Sequence, residues 1–507
     1  MFQAGGAMLL PVPFEEASMT YDNRNALLAR AAQHGQDYLA AVAGRPVAAS
    51  ATSEELRSAL GGTLGTAGTE AAAVIDALAA ASERGTLASQ GPRYFGFVIG
   101  GSLPVATAAD WLVSSWDQNS AVYAMSPLVS VVEDITAGWM RDLLELPDHC
   151  GVGFVTGCQM ASFTALAAAR HDVLRRAGWD VEADGLTGAP AIDLLVSEES
   201  HYTITMALRL LGLGAGRARR VPTDAQGRML APELARMLGE STGPCIVCAQ
   251  AGNVNTGAFD PIEEISTLCR ARGAWLHVDG AFGLWARTSP SLAPLAAGIQ
   301  RADSIATDGH KWLNVPYDCG IVFCAHPEAQ RAAMSLAAAY IVSDAHERDP
   351  HEFVPEESRR ARAVPVYAVL RNLGHDGLRA LVERNCSHAR HMAERLGADP
   401  AVRILNDVVL NQVLVRFEDP HWDADAFTRA VIAGVQQEGT CWLGGTVWHG
   451  MAAMRISISN WSTTVQDIDR SADAILDNLR ARRQGGTPTN VQWCANVEVP
   501  PSCEPHV

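Results

Sequence analysis

Lysine occurs once in this chain, at Lys311; all the other residues in a basic complement of 39 are arginines. A guanidinium stays protonated, whereas a lysine amine shifts its pKa and adds to carbonyls, so a single retained lysine points to amine chemistry. It stands in D-G-H-K-W (308–312), directly after the apolar run S-I-A-T-D, with His310 beside it. Other reactive groups follow similar runs. A-W-L-H-V-D closes on Asp279, followed by Gly280 and Ala281, and D-L-L-V-S runs into E-E-S-H-Y, which carries His201. G-V-G-F-V-T leads through Gly157, Cys158 and Gln159 into a helical stretch. A glycine turn at a helix N-terminus offers free N–H groups and a positive dipole end to a phosphate. Taken singly, each has a plain structural reading: Asp279 as a turn cap, the histidines as hydrogen-bonders, the glycine as an ordinary connection.

The elements that must position these groups follow from periodicity. Between residues 91 and 374, short apolar strands (the runs above, with P-C-I-V-C-A and G-I-V-F-C) alternate with helical stretches at 161–177, 203–211, 232–238 and 262–272. Such alternation predicts a large α/β domain with a mainly parallel sheet. Residues 1–90 read as an Ala-rich helical arm, with one helix at 23–43. Residues 375–483 read as a small α+β domain: a helix at 376–396, strands near 408–417 and 454–459, and a closing helix at 465–480. Residues 484–507 are aperiodic and are expected to form a mobile tail. In open α/β sheets ligands bind beyond the carboxyl ends of the strands, where a phosphate cradle, an imidazole, a carboxylate and the sole amine are expected to meet.

That set meets the needs of pyridoxal 5′-phosphate (PLP). Its aldehyde needs a lysine, its pyridine nitrogen a carboxylate, its phosphate backbone donors and its flat ring a neighbour on each face.

These residues resemble the group II PLP-dependent amino-acid decarboxylases, such as those acting on glutamate and aromatic amino acids, over roughly residues 92–480. The most specific stretches are H-V-D-G-A-F-G (277–283) and D-G-H-K-W-L-N-V-P-Y-D-C-G (308–320), supported by S-R-R-A-R-A (358–363), V-L-R-N-L-G (369–374) and M-R-I-S-I-S-N-W-S-T-T (454–464). The resemblance implies PLP fold type I, like aspartate aminotransferase, and release of the α-carboxylate of an amino acid as CO2. It implies that Lys311 is the Schiff-base lysine, that Asp279 pairs with the pyridine nitrogen, and that Ala281 and His201 flank the ring. It places Gly157, Cys158 and Gln159 in the phosphate loop, His310 within reach of the phosphate, and Asn253 near the cofactor. Asn119 and Tyr123 look like a substrate-pocket segment. Arg360 is read either as a substrate-carboxylate contact or as a structural salt bridge, and Tyr340 either as the proton donor on a loop or as an ordinary helix tyrosine. Two departures stand out: Gln159 occupies a place usually held by Ser or Thr, and Asp308-Gly309 stands where Asn-Pro is common. A carboxylate repels a phosphate, so Asp308 is expected to point elsewhere. The family's dimeric state implies a homodimer. Aldehyde synthesis, aldol-type cleavage, transamination and a non-catalytic PLP-binding protein remain alternatives.

Composition narrows the class. The formal net charge of −17 opposes nucleic-acid binding. Arg217, Arg219 and Arg220 make only a short basic cluster. No signal peptide or bilayer-spanning run is read. Eleven scattered cysteines, with Cys245 and Cys248 as a lone C-x-x-C, fit small core residues in a reducing cytoplasm better than a metal site. Substrate identity stays open: Tyr94, Phe95, Phe97 and Trp116 hint at an aromatic pocket or at core, while Asn119 and Arg360 suit an acidic side chain.

Overall fold

The structure, a computed structural model, describes residues 21–64, 68–335 and 347–484. The chain forms two compact units, Met1–Ala88 and Ser89–Val507. The first holds α1 (Tyr21–Ala41), α2 (Ser53–Leu60) and α3 (Ala71–Gly85). Thr52 starts α2 with a reciprocal cap: its hydroxyl accepts the Glu55 N–H, and the Glu55 carboxylate accepts the Thr52 N–H.

The second unit opens with α4 (Pro104–Trp116) and α5 (Pro127–Leu143), each begun by a proline whose missing N–H has no helical partner to lose. Strands and helices then alternate: β1 (Gly151–Val155), α6 (Cys158–Arg176), the single turn α7 (Val181–Asp184), β2 (Asp193–Ser197), α8 (Tyr202–Leu210), β3 (Arg219–Val221), α9 (Ala231–Glu240), β4 (Cys245–Gln250), α10 (Ile262–Arg272), β5 (Trp275–Asp279), β6 (Ser304–Asp308), β7 (Gly320–Cys324) and α11 (Pro327–Met334). These seven strands form one sheet in the order β1-β7-β6-β5-β4-β2-β3. Only β7 runs against its neighbours. Strands β1 and β4 to β7 are buried along their whole length, which is why they read as continuous apolar runs rather than alternating ones. The rest comprises α12 (Ala363–Gly397), β8 (Val402–Ile404), β9 (Gln412–Phe417), α13 (Ala424–Glu438), β10 (Gly444–Trp448), β11 (Met451–Ser457) and α14 (Val465–Gln484), with a four-stranded sheet ordered β10-β11-β9-β8.

The fold type I architecture expected from the sequence is present, with differences of detail. The short strand β3 falls on the arginine cluster, and α13 on a stretch left unassigned. Gly374 (φ 59°, ψ −171°) is non-helical and divides α12 into two helical segments: the second matches the helix expected at 376–396, and the first, from Ala363, was not expected. Cys245 and Cys248 are both buried on β4, and the nine described cysteines are all free. The expected tail lies outside the described residues.

Strand β1 sits at the sheet edge, where its carbonyls need donors. Arg359 donates to Phe154 O (3.1 Å) and Arg348 to Val152 O. Glu133 of α5 takes both guanidiniums, at 2.7 Å from Arg359 and 3.2 Å from Arg348. This buried triad fixes the strand that leads into the glycine turn.

Candidate active site

Parallel pairing aligns the strand ends: Gln250 of β4 lies opposite Asp279 of β5, and Asp279 opposite Ala306 of β6. The turns beyond β1, β2, β4, β5 and β6 therefore share one rim.

After β6 the chain turns sharply. Gly309 N–H donates to Cys319 O (3.0 Å). Asn314, in the left-handed region (φ 57°) that Asn tolerates, donates from Nδ2 to the carbonyls of Lys311 (3.2 Å), Trp312 (2.9 Å) and Ser459 (2.9 Å). A Cβ on Gly100 would stand 2.1 Å from Lys311 O, so a bare backbone is needed there. The turn returns Lys311 Nζ to 2.9 Å from Asp308 Oδ2. Burial works against the ammonium, but Asp308, Cys158 and Asp279 outweigh it and hold the Lys311 pKa above its ordinary value.

Asp308 corrects an expectation. It points into the glycine turn, not away from it: Oδ1 accepts the Cys158 N–H at 2.6 Å and lies 3.4 Å from His310 Nε2. Two donors draw it inward, a first-turn amide of α6 that has no helical acceptor and the Lys311 ammonium.

Asp279 Oδ1 accepts the Ala281 N–H (3.1 Å) and the Cys158 Sγ–H (3.4 Å). Ala281 packs beside Val155 and Cys158. His201 precedes α8, and its Nδ1 meets Thr203 Oγ1 at 2.8 Å. Desolvation lowers its pKa to about 4, so the ring is neutral at neutral pH. Gly157 starts α6 without a side-chain cap, and Gly320 of β7 lies tight beneath it: a Cβ there would come 2.3 Å from Gly157 C. The next two amides, of Gln159 and Met160, have no intrahelical acceptor. The Gln159 side chain has no hydrogen-bond partner among the described residues, nor has buried His310 Nδ1, whose ring stacks on Tyr317 with centroids 4.6 Å apart.

Other expected residues behave differently. Fully buried Asn253 is occupied by the backbone: Oδ1 accepts from Asn255 N (2.9 Å) and Thr256 N (3.2 Å), and Nδ2 donates to Glu199 O (3.3 Å). It braces the turn before His201. No described contact joins Asn119, Tyr123 or Arg360 to Lys311. Asn119 Oδ1 accepts the Arg359 N–H (3.2 Å), and the Tyr123 N–H donates to Asp349 Oδ1 (2.8 Å). Arg360 bonds Asp110 Oδ1 and Ser114 Oγ on α4, both at 2.8 Å, the structural alternative of its two readings. Tyr94 and Phe95 are core, Trp116 lies on α4, and half-exposed Phe97 stacks on Trp442. Tyr340 lies outside the described residues.

Sequence reasoning missed Arg455 on β11, although it lies in M-R-I-S. Its guanidinium has no hydrogen-bond or ion-pair partner among the described residues, and burial lowers its pKa to about 10. Its charge acts on His201, which sets it beside the rim. An arginine amid apolar strand residues was the available signal.

The pyridoxal-dependent decarboxylase conserved domain matches residues 70–418. The chain belongs to that family. Among curated relatives, this decarboxylase is 30% identical over 388 residues to the L-2,4-diaminobutyrate decarboxylase of Rhizobium meliloti (strain 1021), covering 74% of this chain and 75% of that one. It is 27% identical over 389 residues to an aromatic-L-amino-acid decarboxylase of Bacillus atrophaeus, covering 74% and 79%. Its fold matches the crystal structure of Oryza sativa TDC with PLP and tryptamine at a TM-score of 0.85 and 21% identity, over 91% of this chain and 99% of that one.

The cofactor of this decarboxylase is PLP, and the rim fits it. A lone lysine, a carboxylate at a strand end, a neutral imidazole, an unpartnered ring nitrogen on His310 and a free Gln159 amide at a helix start answer its aldehyde, ring nitrogen, ring face and phosphate.

Proposed function

We propose that this decarboxylase removes the α-carboxylate of an L-amino acid, with PLP held covalently through Lys311. The observation that carries the reading is the placement of the chain's only amine side chain on one rim with Asp279 and a neutral His201. Bound PLP supplies an aldehyde for amines and a protonated ring that takes up the electron pair left when a bond to Cα breaks.

The chain's residues do the rest. Asp279 keeps lone pairs beyond those engaged by Cys158 and Ala281, and these hold a proton at the ring nitrogen. His201 covers one ring face without adding charge, and Ala281 the other. The amides of Gln159 and Met160, the Gln159 side chain and His310 Nδ1 hold the phosphate. Arg455 receives a substrate carboxylate, because a guanidinium without a partner among the described residues pairs well with that fork of acceptors. Lys311 Nζ carries a proton when it is not bonded to the cofactor, and Tyr340 is assigned the return of a proton to Cα.

The test is CO2 release from a panel of L-amino acids, with H2O2 and keto acids measured in parallel. Stoichiometric CO2 and amine from wild type, lost in Lys311→Ala, is the result this reading expects. Keto acid or H2O2 as the main product would replace it with transamination or oxidative chemistry.

The same reading takes the protein as a cytoplasmic homodimer. Leu128, Val131 and Ile135 form an exposed stripe at helical spacing on α5, and Trp111 and Leu112 are exposed on α4, which favours a self-association face. Free, buried cysteines suit a reducing compartment, and among the described residues no helix is long and apolar enough to cross a membrane. Residues 1–90 are taken as an arm, 91–374 as the cofactor domain and 375–483 as the small domain.

A further inference from the structure

Asp308 is nearly inaccessible, at 2% exposure. Its two oxygens are divided between the two halves of the site. Oδ2 faces Lys311 Nζ at 2.9 Å, and Oδ1 accepts the Cys158 N–H at 2.6 Å at the start of α6. The backbone clamps it: Asp308 N–H donates to Ala281 O (3.0 Å), and β7 pairs it with Gly320. The other titratable groups that feel its charge are His310, His201, Tyr317 and the Cys158 and Cys319 thiols. Both histidines have lowered pKa values through desolvation, so neither supplies a balancing charge near neutral pH. Lys311 is the one cation in contact with Asp308 among the described residues.

Two consequences for an anion have the same sign. The N–H that opens α6 is part of the positive end of that helix, and a carboxylate already occupies it. The positive charge of Lys311 is directed at Asp308 and is masked from anything else in the turn. Because Asp308 itself is buried, its negative charge acts on a neighbouring anion with reduced solvent screening.

We propose that Asp308 is a positioning residue that sets the charge of the phosphate seat: it aims Lys311 and anchors α6 at the expense of the site's affinity for a phosphate ester. The proposal rests on the reading of Lys311 and the α6 turn as the cofactor site. It concerns how tightly the seat holds an anion, not the chemistry done there.

The probe is pyridoxine 5′-phosphate, which carries the ring and the phosphate but has no aldehyde to react with Lys311. Its dissociation constant is measured by tryptophan fluorescence on the full-length chain, stripped of cofactor, for wild type, Asp308→Asn, Lys311→Met and the double variant. Asparagine keeps the shape and an oxygen for the Cys158 N–H while removing the charge. Asp308→Asn is expected to bind at least tenfold more tightly than wild type. Lys311→Met, which leaves Asp308 without its cation, is expected to bind at least tenfold more weakly, and the double variant to recover most of that loss. Circular dichroism and thermal midpoints identify any variant that has lost its fold, and the wild-type against Lys311→Met comparison tests the same charge without altering Asp308. Equal or weaker binding by folded Asp308→Asn, or no change in Lys311→Met, overturns the proposal. Failure of wild type both to bind the probe and to form a borohydride-stable adduct with PLP at Lys311 would instead remove the cofactor reading itself.

Discussion

The Cys158 thiol lies 3.4 Å from Asp279 Oδ1, so the first residue of α6 and the last residue of β5 meet inside the site. The contact joins the phosphate turn to the carboxylate assigned to the ring nitrogen. Asp279→Asn removes the charge and keeps the shape. CO2 release is expected to fall by roughly 10²- to 10⁴-fold, the range set by losing a positioned proton-holding group, while the Lys311 adduct still forms. A loss smaller than about threefold would take Asp279 out of that role.

Arg455 should trade stability for binding. Its guanidinium has no partner among the described residues and is half-buried, so the free enzyme holds that charge partly stripped of water, a cost on the order of 1 kcal/mol. Arg455→Met is expected to raise the thermal midpoint of the cofactor-loaded enzyme and to raise KM at least tenfold, with a smaller change in kcat. Unchanged KM together with a lower midpoint would make Arg455 a structural residue.

Glu133 holds two arginines against the β1 edge. Glu133→Ala strands both buried guanidiniums and is expected to destabilise the fold by about 3–5 kcal/mol in denaturant unfolding. A change below about 1 kcal/mol would show that the triad can rearrange.

His277 is fully buried on β5, with Nδ1 3.0 Å from Ser304 Oγ and Nε2 3.3 Å from Ser162 Oγ, and desolvation lowers its pKa to about 4. Above its unfolded pKa of about 6.5 both states are neutral and pH has no effect through this group. As pH falls from there towards 4, the unfolded chain binds a proton that the folded chain refuses, so stability is lost, by up to roughly 3 kcal/mol. His201 acts in the same direction. Urea midpoints from pH 7 to pH 4.5 should decline in wild type and less steeply in His277→Gln. Parallel declines in the two proteins would exclude His277 as a source.

What the sequence disclosed, and what it hid, has physical causes. Strands buried on both faces are largely apolar runs, so β1, β2 and β4 to β7 stood out, and with them the strand ends carrying Thr156, Asp279 and Asp308. The short β3 was hidden because two of its three residues are arginines. The helix after Gly374 was legible because Gly374 does interrupt the helical backbone, whereas the segment from Ala363 was not read, although a proline at 365 fits a first helical turn. Asp308 was misjudged because repulsion by a phosphate is visible in a sequence, whereas the amide and ammonium that hold it become neighbours only on folding. The same holds for Asn253, whose amide serves its own turn, and for Arg455, whose lack of a partner is a three-dimensional fact.

The most direct measurement uses the solitary lysine. The full-length protein is incubated with PLP, reduced with borohydride, digested and mapped by mass spectrometry. A pyridoxyl phosphate group on the peptide containing Lys311, with the accompanying loss of visible cofactor absorbance, is the expected result. An unmodified Lys311 peptide after complete reduction would contradict the account.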